Sequence, residues 1–206
     1  MNGPSVRKFS IATVVALLLL TGACSTRAKQ PTGGSARSFP TDGPLKFLAG
    51  GKGPVPAGTT MILAAGAVHS SGLGELHNLS PDPAKIVAVR LIGGAAPGAL
   101  SFLGSLIYPD HQDAADVANY NPFPPDDKLL GSPEQAIGFS VPPSPEGNGY
   151  AIVVGFTATG VARATIKQFA IDYIVNGKEY TVTDPTTVSV CAPPMTSEKC
   201  QPEYAD

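Results

Sequence analysis

The stretch Phe169-Ala-Ile-Asp-Tyr-Ile-Val-Asn-Gly-Lys-Glu-Tyr-Thr-Val-Thr183 decides the fold class of this chain. Asn176-Gly177 separates two runs of alternating apolar and polar residues. Asn-Gly is the strongest signal for a two-residue type I′ turn, because both turn positions need a positive φ. With that turn Tyr173 lies opposite Tyr180, and the sequence predicts an antiparallel hairpin with one apolar face. The side chains predicted to face solvent are Asp172, Glu179, Thr181 and Thr183.

Further segments carry the same period of two, which is typical of half-buried strands. Residues 85–92, 99–108 and 150–157 show it, and residues 188–191 repeat it near the C-terminus. Residues 61–68 are another strand candidate, although the alanines there favour helix. In the second segment the side chains predicted to share one face are Leu100, Phe102, Leu106 and Tyr108.

The composition agrees with a chain of many short strands. The 206 residues include 23 Gly and 21 Pro but no Trp, and only 15% of them are charged. Frequent Gly and Pro suit turns between strands better than long helices. We therefore predict that residues 45–206 form an all-β domain, a two-sheet antiparallel sandwich that is Ig-like in the broad sense.

The first 23 residues have the three parts of an export signal. Arg7 and Lys8 precede an apolar run over residues 9–20, and three small residues follow it. A helix needs about 20 residues to cross the hydrocarbon core, and the run is shorter than that. It is therefore interpreted as a signal peptide, residues 1–23, and not as a lasting anchor.

The residues at the end of this signal, Leu20-Thr-Gly-Ala-Cys24, resemble the lipobox of bacterial lipoproteins. The chain departs from the commonest pattern at Thr21, where an aliphatic residue is usual. The resemblance implies that Cys24 takes a diacylglycerol on its sulfur and, in many bacteria, a fatty acyl group such as palmitate on its new amino group. Two acyl chains hold a protein on a bilayer, since each buried CH₂ contributes about 0.8 kcal/mol. The expected location is the extracytoplasmic side of the cell membrane.

Residues 24–44 are predicted to be a lipidated cysteine followed by a flexible tether. After Cys24 this stretch holds one aromatic residue and no aliphatic side chain larger than alanine. Such a segment does not bury enough apolar surface to offset the entropy of ordering the chain. The tether therefore separates the membrane from the folded domain.

The charge balance argues against a nucleic-acid partner. Acidic residues outnumber basic ones by 16 to 14, and removal of Arg7 and Lys8 with the signal increases the imbalance. An acidic domain repels a phosphate backbone. The expected partners are the membrane, through the lipid on Cys24, and an envelope protein, polymer or small ligand.

Two cysteines remain once Cys24 is lipidated. Cys191 and Cys200 are an even pair in an exported, disulfide-permissive compartment, and we predict that they form a disulfide. The chain has no Cys-x-x-Cys motif, so the bond is interpreted as a structural clip on the C-terminal tail. Strand parity directs Cys191 outward with Thr187 and Ser189, so we expect the bond at the surface and its loss to affect mainly the tail.

Acidic residues collect in residues 109–145, which we interpret as a long surface excursion because of their proline content. Carboxylates can bind Ca²⁺, and a histidine beside them suits a transition metal. The Asp-x-Asp-x-Asp-Gly pattern is missing, however, so a solvated acidic loop is the preferred interpretation and no cofactor is expected. His69 and His77 are interpreted as neutral histidines at the surface or at strand ends. The weak metal-site candidates are Asp110, His111, Asp113 and Asp116.

No catalytic motif is present. The chain has no Gly-x-Ser-x-Gly sequence, and Gly93-Gly-Ala-Ala-Pro-Gly98 lacks the lysine and hydroxyl residue of a phosphate loop. The sequence therefore favours a non-enzymatic, membrane-anchored binding or interaction module of the cell envelope. The alternative is an exported metal carrier or an enzyme whose site is assembled from dispersed residues.

Overall fold

The computed structural model describes residues 39–48, 58–93, 99–109, 122–125, 131–144, 149–160 and 163–201. The chain divides into a unit Met1–Ala36 and a unit Arg37–Asp206, and every described residue belongs to the second unit. The predicted signal peptide, Cys24 and most of the tether lie outside the described residues. Among the residues that are described, no helix has the length and apolar character needed to span a bilayer.

The described chain is built from strands. In chain order these are β1 (Leu45–Leu48), β2 (Gly58–Ile62), β3 (Val68–Asn78), β4 (Ala84–Gly93), β5 (Leu100–Tyr108), β6 (Glu134–Gln135), β7 (Ser140–Val141), β8 (Tyr150–Ala158), β9 (Arg163–Val175), β10 (Lys178–Asp184) and β11 (Thr187–Cys191). They form a five-stranded sheet in the order β1-β3-β8-β5-β6 and a six-stranded sheet in the order β2-β11-β9-β4-β7, in which β10 also pairs with β9. The predicted two-sheet sandwich is confirmed.

Among the described strands, pairing is antiparallel with one exception. β2 runs parallel to β11 at one edge of the six-stranded sheet. This pairing joins residues about 130 positions apart in the chain. The alternation of side chains is the same in parallel and antiparallel strands, so the sequence does not reveal the direction of β2 relative to β11. The antiparallel prediction therefore holds for the hairpin and its neighbours but not for this edge.

The predicted hairpin is confirmed in its turn and its register. Asn176 has a φ of 50° and Gly177 a φ of 73°, as a type I′ turn requires. The turn joins β9 to β10 with Tyr173 opposite Tyr180. Their rings stack with centroids 5.6 Å apart and planes 24° apart, so this cross-strand pair also packs side chain on side chain.

The inner faces of the two sheets enclose one apolar core. Tyr173 on β9 links the sheets directly, because the Leu45 N–H of β1 donates a hydrogen bond to its Oη at 3.1 Å. Burial raises the pKa of Tyr173 to about 12, so the phenol is neutral at physiological pH. The largest side chains of this core that are fully buried are Leu45, Leu73, Leu76, Ile86, Ile107, Ile152, Phe156, Ile166, Phe169 and Tyr173.

The chain enters the domain through residues that the sequence assigned to the tether. The Thr181 N–H of β10 donates a hydrogen bond to the Pro40 carbonyl at 2.9 Å, and from Leu45 the chain pairs with β3 in the other sheet. Between these points Gly43 lies against the Tyr173 hydroxyl and the Tyr180 ring, where a Cβ has no room. Residues 40–44 therefore pass from the hydrogen bond at β10 to the start of β1, and Gly43 is the buried residue among them.

The single face predicted for residues 99–108 is wrong. A register shift between Phe102 and Gly104 makes Leu103 an extra, bulged residue opposite β8. Leu100 and Phe102 consequently pack against the inner core, whereas Leu106 and Tyr108 belong to a second apolar cluster on the outer face. A bulge depends on the partner strand, and the alternation of one strand does not reveal it.

The strand predicted over residues 61–68 is also wrong. β2 ends at Ile62, and residues 63–67 turn, with Gly66 at a φ of 80°. β3 then runs from Val68 to Asn78 with the sequence Val-His-Ser-Ser-Gly-Leu-Gly-Glu-Leu-His-Asn. The sequence pattern does not reveal this strand, because its glycines, Glu75 and Asn78 have low β-propensity. β3 is stable as a strand because it lies between β1 and β8.

Parts of the predicted excursion, residues 109–145, belong to the folded domain. Ala136 and Val141 are fully buried in the inner core. Phe123 packs on the outer face of the five-stranded sheet over Gly155, where a Cβ would overlap the ring. The outer cluster beneath it consists of Leu106, Tyr108, Ala151 and Val153. The interpretation as a purely superficial excursion is therefore wrong for these residues.

Candidate functional site

The predicted disulfide between Cys191 and Cys200 is formed. Val188 and Val190 of β11 face the inner core, as strand parity predicts, and Cys191 points to the outer face of the six-stranded sheet. Both half-cystines are fully buried, however, and so are Thr187 and Ser189. The prediction of an exposed bond is wrong, because the C-terminal tail folds back over this part of the sheet.

The tail is held on the sheet by polar contacts as well as by the disulfide. The Thr60 hydroxyl of β2 donates a hydrogen bond to the Cys200 carbonyl at 2.9 Å. The Arg163 guanidinium of β9 donates to the Gln201 carbonyl at 2.6 Å. The Cys200 Sγ lies 4.0 Å from the Met61 carbonyl oxygen of β2. The tail therefore contacts β2 and β9 on either side of β11 and acts as a structural clip over all three strands.

A polar network occupies the outer face of the predicted hairpin. The Arg90 guanidinium of β4 donates two hydrogen bonds to the Asp172 carboxylate, each 2.7 Å long, and the Thr181 hydroxyl donates a third at 2.6 Å. The hydrogen bond to Asp172 raises the pKa of Arg90. Asp172 and Thr181 are each only 6% exposed, so the prediction that they face solvent is wrong. All three hydrogen bonds are accepted by the buried carboxylate of Asp172.

The two histidines of β3 are buried near its two ends. Burial lowers the pKa of His69, whose ring lies 6.1 Å from that of Phe156 in the core. The His77 Nε2 lies 3.2 Å from Glu75 Oε2 on the outer face, and Gly149 leaves the space that the His77 ring fills. The strand-end positions are as predicted, but neither histidine is at the surface.

The metal-site candidates Asp110, His111, Asp113 and Asp116 lie outside the described residues, as does Cys24. Within the ranges that are described, no group of three or more His, Cys, Asp or Glu side chains is arranged to hold a metal ion.

One side of the sandwich carries two strand edges that the described residues cover only in part. β4 is paired with β9 along its length, but with β7 only at Ala84 and Lys85. β5 is paired with β8 along its length, but with β6 only at Leu106 and Ile107. Because four residues, 136–139, connect β6 to β7, the two covered ends lie on the same side of the sandwich. Beyond them, no strand among the described residues pairs with the remaining edges.

Each strand carries a bulge beyond its covered end, directly after Ile86 on β4 and three residues before Leu106 on β5. Val87 is the extra residue on β4, between Ile86 and Ala88, and Leu103 is the extra residue on β5. Val87 is 38% exposed, Leu103 is 46% exposed and Ile137 in the connection is 52% exposed. We define the open seam as residues 87–92 of β4 with residues 100–103 of β5. Its sequence shows no motif, because it arises from the pairing of both strands.

The inward side chains beside the open seam lie at the margin of the core. The inward side chains Leu91, Leu100 and Phe102 pack against the core but are only partly buried. Half-buried apolar side chains beside unpaired strand edges are the features of a surface that accepts another strand. The described polar clusters, in contrast, are engaged in bonds within the domain.

Comparisons with known proteins add only distant likeness of shape. No protein-family profile matches the chain, and no curated protein matches it. A solved structure of the Vibrio cholerae VesB protease is similar over 66% of this chain, with 8% identity and a TM-score of 0.32; the chain spans 30% of that protein. The CooA pilin subunit from enterotoxigenic Escherichia coli is similar over 73% of this chain and 99% of its own length, with 12% identity and a TM-score of 0.35.

Proposed function

We propose that this protein is a lipid-anchored binding module on the extracytoplasmic side of a bacterial cell membrane. Cys24 carries the lipid, the residues after it form a tether, and the sandwich is the part that meets a partner in the envelope. The segment between Cys24 and Pro40 reaches roughly 20 Å if it behaves as a flexible chain. That distance lifts the domain clear of the lipid headgroups.

The observation that carries the proposal is the disulfide between Cys191 and Cys200. Disulfides persist in exported proteins and are rare in the reducing cytosol. The bond uses two of the three cysteines and leaves Cys24, at the end of the apolar run, as the remaining thiol. A disulfide in the folded domain and a cysteine in a sequence that resembles a lipobox both support this location.

The test of this proposal is a Cys24→Ala variant of the full chain, expressed in a bacterium and labelled with an alkyne fatty acid. We expect the natural chain to be labelled and to sediment with membranes. The variant should lose the label and remain uncut or become soluble, because it lacks the thiol that accepts the lipid. The double variant Cys191→Ala/Cys200→Ala is the matched control, and it should retain the label. Persistent labelling of Cys24→Ala would refute the anchor.

A second measurement distinguishes the proposed binding module from an exported metal carrier or a metal-dependent enzyme. The protein is purified from membranes without chelator, and its metal content is determined by mass spectrometry. The proposal expects no stoichiometric metal. One metal ion per chain would favour the exported metal carrier, and it would direct attention to the acidic residues 110–116.

A further inference from the structure

We propose that Asn176 is a modification site, at which the chain converts its own side-chain amide to a carboxylate, and that the folded hairpin restrains this reaction. The reactive pair is Asn176 and Gly177 at the tip of the β9–β10 hairpin. Both residues are exposed. Apart from its chain neighbours, no described residue has an atom within 4 Å of the place where a Cβ on Gly177 would stand. This site is independent of the proposed binding function, because it involves neither the lipid anchor nor the open seam.

The reaction at such a pair is an intramolecular attack followed by hydrolysis. The Gly177 nitrogen gives its proton to hydroxide and attacks Cγ of Asn176, and a cyclic imide forms as the side-chain nitrogen leaves as ammonia. Water then opens the ring at either of its carbonyl carbons, which leaves aspartate or isoaspartate at position 176. The net change consumes water and releases ammonia, and no electrons are transferred. Because glycine has no Cβ, the approach of its nitrogen meets little steric resistance.

The native turn holds the two reacting atoms apart. Asn176 has a φ of 50° and so lies in the left-handed region, where ψ is about 47°. At that ψ the Gly177 nitrogen points almost opposite to Cβ of Asn176 about the Cα–C bond, whereas closure of the imide needs both on the same side. The pairing of Val175 with Lys178 on either side of the turn maintains this conformation. Attack therefore requires the end of the hairpin to open.

A side-chain hydrogen bond adds a second restraint. The Asn176 Nδ2 donates to Asp82 Oδ2 at 2.6 Å, and this bond joins the turn to the segment between β3 and β4. Asp82 is itself held in place, because its N–H donates to the Ser80 hydroxyl at 3.0 Å and its carbonyl accepts from the Asn78 side chain at 2.9 Å. The Asn176 side chain must therefore break its bond to Asp82 before Cγ can turn toward the Gly177 nitrogen.

Conversion leaves a turn that closes less well. A carboxylate at position 176 offers no donor to Asp82, and two carboxylates at hydrogen-bond distance repel each other. Isoaspartate also lengthens the backbone by a methylene, which the two-residue turn does not accommodate. A chain that has opened at this turn is therefore marked by a product that favours the open form.

The first experiment compares the folded and the unfolded chain. The full-length lipoprotein in detergent micelles is incubated in mildly alkaline buffer with and without guanidinium chloride. Mass spectrometry of its peptides then measures deamidation and isoaspartate. Asn148-Gly149 is the same dipeptide elsewhere in the chain, and its conversion in guanidinium chloride is the positive control. We expect Asn176 to convert at least about tenfold more slowly in the folded protein, because only the open hairpin reacts.

Asp82→Ala tests the side-chain restraint in the folded protein. Loss of the acceptor should raise the rate of conversion at Asn176 by about fivefold. Glu179→Ala is the matched control, since it removes a carboxylate from an exposed position of β10 near the turn that is not the acceptor of Asn176. This control should change the rate by less than about twofold.

An exchange of the two side chains tests the consequence of conversion. Asn176→Asp should lower the melting temperature by about 2 °C, because it places two carboxylates together at an exposed site. Asn176→Asp/Asp82→Asn restores one donor and one acceptor, so it should recover most of that loss.

Three results would overturn this assignment. They are equal rates at Asn176 in the folded and the unfolded chain, an unchanged rate in Asp82→Ala, and no recovery in Asn176→Asp/Asp82→Asn. All of these variants retain Cys24 and its lipid labelling, so failure here is distinguishable from failure of the anchor.

Discussion

The two sheets of the sandwich cover their outer faces by different means. The five-stranded sheet presents an apolar cluster on its outer face. Phe123 covers this cluster by van der Waals packing over Gly155. The six-stranded sheet is covered by a tail that is covalently closed through Cys191 and Cys200, and beside the hairpin by the Arg90–Asp172 ion pair. Each apolar contact contributes little, and the stability that such contacts provide is the sum of many. A disulfide or the hydrogen bonds of a buried carboxylate, in contrast, are lost when one side chain is replaced. Single substitutions should therefore affect the two faces unequally.

The largest effect is expected from removal of the disulfide in Cys191→Ala/Cys200→Ala. Closing this short ring removes entropy from the unfolded chain that is worth about 3 kcal/mol, and the clip also holds β2 and β9 beside β11. We expect the free energy of unfolding, measured with urea, to fall by about 3 kcal/mol. Hydrogen exchange should accelerate in β2 and β11 but not in β5 and β8.

The comparison is made in the Cys24→Ala background, with and without Cys191→Ala/Cys200→Ala, so that the two chains differ in the disulfide and not in the lipid. Acceleration confined to the residues after Cys191 would restore the view that the bond restrains only the tail. Because both half-cystines are fully buried, we also expect a mild reductant to leave the bond intact until the domain unfolds.

An intermediate effect is expected from Arg90→Leu. The substitution leaves the Asp172 carboxylate 6% exposed with the Thr181 hydroxyl as its remaining side-chain donor. Breaking a fully buried pair costs about 3–5 kcal/mol. Since the Arg90 side chain is 37% exposed, we expect the free energy of unfolding, measured with urea, to fall by about 2 kcal/mol.

The double variant Arg90→Leu/Asp172→Leu tests the cause of that loss. It removes both charges, so it should be more stable than Arg90→Leu alone. Lys85→Leu, at an exposed position on the same strand, is the control and should change stability little. A double variant less stable than Arg90→Leu would mean that the pair contributes through packing and not through the charge of Asp172.

The smallest effect is expected on the apolar face, from Phe123→Ala. Phe123 is partly buried, and its loss should reduce the free energy of unfolding by about 1.5 kcal/mol from apolar area alone. Gly155→Ala should have a similar effect, because the new Cβ displaces the ring. The two losses should not add in the double variant, since alanine at 155 then occupies the space vacated by Phe123.

The same urea measurements serve for this pair, with Leu103→Ala as the control at an exposed position. Additive losses in the double variant would show that Phe123 and Gly155 act independently. In that case the outer cluster would not depend on the Phe123 ring for its cover.

Local patterns predicted the parts of the fold that depend on neighbours in sequence. Asn176-Gly177 fixed the turn of β9 and β10, and the alternation of residues 85–92 and 150–157 located β4 and β8. The pairing of Cys191 with Cys200 followed from cysteine count and compartment. β3 was missed because its stability comes from the strands on both sides and not from its own residues.

The candidate site was the least accessible to sequence reasoning. The open seam depends on two bulges and on how far β6 and β7 extend along β5 and β4. Val87 and Leu103 resemble any other strand residues in the sequence. The weak metal-site candidates among residues 110–116 lie outside the described residues.

The sequence by itself determined the all-β class, the hairpin and the disulfide, because each depends on a local period, a turn that needs positive φ, or the chemistry of a residue type. Only the tertiary structure decided which outward-facing residues are buried. Cys191, Asp172 and Tyr108 all point away from the inner core, yet each is buried. The C-terminal tail covers Cys191, Arg90 of β4 covers Asp172, and Phe123 packs on the cluster that contains Tyr108. The physical reason is that strand parity fixes the direction of a side chain, whereas burial depends on what the rest of the chain places over it.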